Sequence, residues 1–130
     1  MTNYLLASGV IWLAVSVIAS IGHMAVLGKT YKNMMGLLDE QTGKRRLPLY
    51  YLANLAFALI FAYLLRMAWP AEISLINGAV FGLLAGLAIY LPQMLNQFAT
   101  FPYPPAMIVG GAIIGIVQTT LAGFIGGLIL

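Results

Sequence analysis

Residues 109–130 read VGGAIIGIVQTTLAGFIGGLIL, with six glycines, one glutamine, two threonines and no charge. Glycine weakens a helix in water, and a glutamine resists burial in oil. Both make sense together in a helix that crosses a bilayer and packs against another helix. There every backbone group must pair internally, which helps hold the helix despite its glycines. The amide then needs a partner across an interface.

Outward from this stretch the chain keeps the same character. From Ile73 to Leu130 there is no Asp, Glu, Lys, Arg or His. The whole chain of 130 residues is 62% hydrophobic and 7% charged, against roughly 25% charged residues in an ordinary soluble domain. A soluble fold of this composition lacks the polar side chains to cover its surface, so lipid is the expected solvent. The chain has no cysteine, which excludes disulfides, thiolate metal sites and thiol catalysis. Its formal charge of +3 is too small and too localised to suggest a nucleic-acid partner.

Four stretches are long and apolar enough to span: residues of about 4–27, 47–65, 73–95 and 106–130, in a single transmembrane domain covering 1–130. A span needs about 20 predominantly apolar residues. The turn between the last two falls at FPYPPA, residues 101–106. Its prolines stop one helix, and Pro104 and Pro105 suit the start of the next, where backbone donors have no helical acceptor. The first stretch begins MTNY, without the basic n-region of a signal peptide, and its apolar run is longer than a signal core. A retained span is expected. The fold class expected is all-α: an integral membrane four-helix bundle.

Orientation follows from the basic residues. Lys29, Lys32, Lys44, Arg45 and Arg46 lie between the first two spans, and Arg66 lies just beyond the second. The positive-inside rule makes the loop of residues 28–46 cytoplasmic and puts both termini outside, in a bacterial inner membrane. Tyr31, Tyr50, Tyr51, Tyr90 and Tyr103 then fall near the inner face, and Tyr4, Tyr63 and Trp69 near the outer one, levels that amphipathic rings prefer. Trp12 lies deeper and is expected to pack. Within the loop, Tyr31, Met34, Met35 and Leu38 recur at helical spacing, the pattern of a short interfacial helix ending at Gly43.

The glycines of the last two spans are periodic. Gly78, Gly82 and Gly86 are four apart, as are Gly111, Gly115, Thr119, Gly123 and Gly127. Residues four apart share a helix face. Each set makes a groove without bulky side chains, the pattern that lets helices meet at close range in lipid. Glycine-zipper packing of the third helix on the fourth is expected. One stripe is also available for association with another chain.

Polar groups inside the bilayer are few. Gln118 is central in the last span and should bond across an interface, to Asn54 of the second span or to a second copy. Gln93, Asn96 and Gln97, with Thr100, gather at the inner end of the third span behind Pro92. These amides form either a clamp between helices or a polar path for a solute. Arg66 and Glu72 bracket the outer turn and are expected to pair. His23, the only histidine, is a candidate axial ligand for haem, but it would need a second donor from elsewhere. No catalytic constellation is present, no enzyme activity and no metal site are expected, and no cofactor is predicted beyond the open haem or quinone alternative.

Three stretches resemble a known family. GHMAVLGKTYKNMMGL (22–37), GLAIYLPQMLNQFATFPYPP (86–105) and the glycine-rich last helix are similar to small bacterial four-span membrane proteins, the domain of unknown function 1761 group and its relatives. The likeness lies in a Gly-Lys-aromatic segment, here Gly28, Lys29 and Tyr31, and in an amide three or four residues before Thr100, here Gln97 or Asn96. His23 and Met24 stand where that family has aromatics, and the last helix lacks an early tryptophan. The resemblance implies four spans and no particular activity.

These features lead to a non-enzymatic helix-packing protein, a subunit of a membrane complex or a homo-oligomer, with membrane lipid and transmembrane helices as partners. The alternatives are a small channel or carrier, and a haem-, quinone- or lipid-binding subunit. The absence of native cysteine makes sidedness easy to measure. Gln41→Cys should react with a membrane-impermeant maleimide only after permeabilisation, and Glu72→Cys should react in intact cells; the reverse pattern would invert the topology.

Overall fold

The computed structural model describes residues 2–32 and 40–130. Among the described residues the elements are all helical: α1 (Thr2–Ile21), a π-helical turn (Gly22–Val26), α2 (Gly28–Lys32), α3 (Glu40–Ala68), α4 (Leu75–Thr100) and α5 (Pro105–Ile129). Four helices are long and apolar enough to cross a membrane, over Asn3–Val26, Gln41–Ala68, Leu75–Thr100 and Pro105–Ile129.

The helix ends follow from local chemistry. Ser74 caps α4, its hydroxyl accepting from the Asn77 N–H at 3.1 Å. Helix α4 stops at Phe101, whose backbone is extended (φ −122°, ψ 149°), as expected for a residue before proline. Pro104 caps α5 and Pro105 opens its first turn, where the missing proline N–H costs nothing.

Two boundaries differ from the hydropathy pattern. Helix α3 begins at Glu40 rather than near residue 47, so Lys44, Arg45 and Arg46 stand on a helix and not in a loop. Gly43 lies inside that helix instead of ending an interfacial one. Helix α4 runs on to Thr100 rather than stopping near residue 95. The reason is the same in both cases: hydropathy marks the part of a helix in hydrocarbon, while the helix itself continues into the polar interface. A short helix covers Gly28–Lys32; Met34, Met35 and Leu38, on which the expected interfacial helix rests, lie outside the described residues.

Helix α5 is the hub. It packs against α1 on one side and most extensively against α4 on another, while α3 packs mainly on α1. Helices α3 and α4 meet near the turn that joins them through aromatic rings. Phe57 stacks on Phe61, and Phe81 takes the edges of Phe61 and Trp69 at centroid distances of 5.6 and 5.8 Å. Beneath these rings lies a cluster of Ile11, Val15, Ala58, Phe61, Ala62, Leu65, Ile73 and Ala122.

The α4–α5 contact is a backbone contact over the half that holds the start of α4. Gly78, Gly82 and Gly86 are buried. A Cβ at Gly78 would collide with the Gly123 carbonyl oxygen, one at Gly82 with that of Thr119, and one at Gly123 with that of Gly78. At Gly127 it would stand 2.8 Å from the Ser74 carbonyl oxygen. Towards the end of α4 side chains fill the space: the Tyr90 ring lies over Gly115, and a Cβ at Gly111 would sit 3.0 Å from the Met94 sulfur. Gly110 and Gly126 receive Leu27 and Leu65 from the other side of the molecule.

Backbone cannot move aside as a side-chain tip can. Gly82→Ala should therefore destabilise the fold by about 1–3 kcal/mol. Gly9 has open space where its Cβ would stand, so Gly9→Ala should stay within about 0.5 kcal/mol of the wild type. Unfolding in mixed micelles of increasing SDS fraction, followed by far-ultraviolet circular dichroism, measures both.

Candidate functional site

Helix α1 carries polar or amphipathic side chains every fourth residue: Tyr4, Ser8, Trp12, Ser16 and Ser20. That spacing places them on one face, and the structure turns much of this face towards α3. The Tyr4 hydroxyl donates to the Leu59 carbonyl oxygen at 2.9 Å, and Trp12 Nε1 donates to that of Tyr51 at 3.0 Å. Asn54 Nδ2 donates to Ser16 Oγ at 3.2 Å. Ser8 and Ser20 bond back to the carbonyls of Tyr4 and Ser16, four residues earlier in their own helix, as serines within helices often do. A helical carbonyl has a second lone pair, so these cross-helix bonds leave the α-helical ladder intact.

Gln118 is buried, and its Nε2 donates to the Val15 carbonyl oxygen at 3.1 Å. The partner is thus α1, not Asn54. Both expected amides do bridge helices, and they converge on α1 from different neighbours. Helix α5 holds it at Val15 and α3 holds it at Ser16, adjacent residues near the middle of the helix. The hydroxyls nearby turn inward on their own helix: Thr119 Oγ1 donates to the carbonyls of Gly115 or Ile116, and Thr120 Oγ1 to that of Ile116.

The second group of amides stands apart. Gln93 and Asn96 are exposed, Gln97 is half-buried, and Thr100 Oγ1 donates to the Asn96 carbonyl oxygen at 2.7 Å. Among the described residues no hydrogen bond joins this group to Gln118 or Asn54. The structure therefore separates a buried clamp on α1 from a polar end on α4.

His23 lies on the π-helical turn, where the Leu27 N–H reaches back five residues to the Gly22 carbonyl oxygen at 3.4 Å. Its Nδ1 is 2.6 Å from the Tyr31 hydroxyl, and the two rings stack with centroids 5.9 Å apart. Burial pushes the Tyr31 phenol above its ordinary range, so it stays protonated at neutral pH. Among the described residues no three His, Cys, Asp or Glu side chains come together. Arg66 Nη1 donates to the Leu130 carbonyl oxygen at 3.2 Å, so it turns to α5 instead of to Glu72.

Among the described residues, hollows open on the surface in several places. One of about 260 Å³ follows the α1–α3 seam beside Trp12, Ser16, Ser20 and Tyr51. One of about 290 Å³ lies among Lys29, Thr30, Pro104 and Ala106. An apolar cleft of about 300 Å³ separates Met94 and Leu95 of α4 from Ile108, Ala112 and Ile116 of α5. The polar stripe of α1, five residues spaced four apart, was not among the sequence-derived candidates. Its signal was present in the sequence, because Ser8, Ser16 and Ser20 lie in register with Tyr4 and Trp12 in an otherwise apolar span.

Compared with known proteins, the chain matches no family model, no curated protein and no solved structure.

The Val15 carbonyl keeps its intrahelical donor when the Gln118 amide is removed. Gln118→Leu should accordingly cost only about 0.6 kcal/mol, and no more than about 1.7. Steric-trap or SDS unfolding of the variant checks this; a larger loss would mean that the amide holds more than one carbonyl.

Proposed function

We propose that the chain is an integral protein of the bacterial inner membrane with both termini outside, whose role is non-enzymatic. It serves as a helix-packing subunit of a larger membrane assembly, either with other transmembrane subunits or as a homo-oligomer. The resemblance to the domain of unknown function 1761 group belongs to this proposal and adds no reaction to it.

The carrying observation is the commitment of both mid-span amides to α1. With Gln118 on Val15 and Asn54 on Ser16, the polar groups deepest in the spans act as a clamp, which favours a packing protein over a channel or carrier. The glycine stripes add a second support. We read Gly78, Gly82 and Gly86 against Thr119, Gly123 and Gly127 as a glycine zipper within one chain, with Gly111 and Gly115 continuing it under Met94 and Tyr90. On that reading neither stripe is left for a neighbour, so association uses the outward faces of α3 and α4. Ile60, Leu64, Val80, Leu84 and Leu91 stand exposed there, facing lipid or a partner helix.

Native mass spectrometry after gentle extraction should detect more than one copy or a companion membrane protein. A single bare chain under all mild detergents would overturn the proposal. Proteoliposomes should pass no ion or small solute above the protein-free background; a flux abolished by Gln118→Leu would instead establish a transport path.

A further inference from the structure

We propose that the α1–α3 groove and the basic end of α3 together bind one anionic phospholipid. The inference rests on the membrane reading above and adds a specific ligand to it. The groove has a volume of about 260 Å³ and runs from Trp12 and Leu13 past Val17 to Ile21, with Tyr51 on its α3 wall. Ser16 and Ser20 also line it, but their hydroxyls are already engaged: Ser16 Oγ accepts from Asn54, and Ser20 Oγ donates to the Ser16 carbonyl. Its surface asks for no polar ligand and suits an acyl chain.

The polar recognition lies at one end. Helices α1 and α3 run antiparallel, since Tyr4 meets Leu59 while Trp12 meets Tyr51. Going from Trp12 towards Ile21 therefore leads towards the start of α3. Lys44 stands seven residues before Tyr51, two turns or roughly 10 Å away on the same helix face. Arg45 and Arg46 follow it, turned by about 100° and 200° around the helix, and all three are exposed. An acyl chain lying in the groove would bring its phosphate to the level of this basic turn, with Lys44 on the groove side and the two arginines extending the positive field around the helix. A net negative headgroup complements them, whereas a zwitterionic one carries its own cation into the same field. Half of the six basic residues of the chain stand at this one mouth. Lys29 is not part of the site, because it lines the separate hollow beside Pro104 and Ala106.

Tryptophan fluorescence tests the site directly, because Trp12 lines the groove and Trp69 stands at the far end of α3. The probe is phosphatidylglycerol brominated on its acyl chains, diluted into phosphatidylcholine vesicles, against brominated phosphatidylcholine diluted into phosphatidylglycerol vesicles. In Trp69→Phe, where Trp12 is the sole emitter, the brominated anionic lipid should quench more strongly at equal mole fraction. The enrichment should be roughly fivefold per engaged basic side chain. Lys44→Gln, Arg45→Gln and Arg46→Gln combined should abolish the preference, as should high salt. In Trp12→Phe, emission from Trp69 should show no headgroup preference. Equal quenching of Trp12 by both lipids, a preference that survives the triple substitution, or the same preference at Trp69 would overturn the site while leaving the membrane reading intact. Absence of quenching by either lipid would overturn both.

Discussion

Hydrocarbon is as apolar as leucine, so a helix in a bilayer gains little by exchanging lipid for another apolar helix. What remains is the number of atoms brought within van der Waals range and the pairing of the few polar groups. Helices α4 and α5 meet the first condition by bringing carbonyl oxygens of one backbone against glycine Cα atoms of the other. Helices α1 and α3 share no such glycine seam. They are joined by Tyr4, Trp12 and Asn54, each donating to an atom of the facing helix. The molecule thus uses two chemistries for one task, close approach on one side of α5 and hydrogen bonding on the other side of α1.

Gln118 links the two. It lies next to Thr119, which faces the tight α4 contact, yet its amide reaches the opposite neighbour at Val15. Successive residues on a helix are turned by about 100°, so adjacent positions can serve different partners. This explains how α5 carries both a stripe for α4 and the residues Gly110 and Gly126, which receive Leu27 and Leu65.

The four apolar helices and the turn at residues 101–106 were legible in the sequence because length, hydropathy and proline placement act locally. The α3 start was not, since residues 40–46 are polar and a hydropathy window assigns them to a loop even when they are helical. Gln118 was recognisable as a group that needs a partner, but its partner was not. The choice of Val15 over Asn54 depends on how three helices are arranged, and no local pattern encodes that. His23 shows the same limit. Its position near the end of the first apolar stretch could be read directly, whereas its stacking on Tyr31 depends on a π-helical turn. The α1 stripe differs from these, because its period is visible in the sequence, but serines are common in spans and do not by themselves mark a helix seam.

The position of α5 has a consequence for biogenesis. The helix on which α1 and α4 both lean follows the others in chain order. During synthesis α1 and α3 can pair through their own hydrogen bonds, whereas α4 enters the bilayer before α5, its main partner, exists. Helix α4 would wait with its glycine groove filled only by lipid tails, and Val15 without the amide that later reaches it. Docking of α4 is in this sense a closing event, set by the insertion of α5.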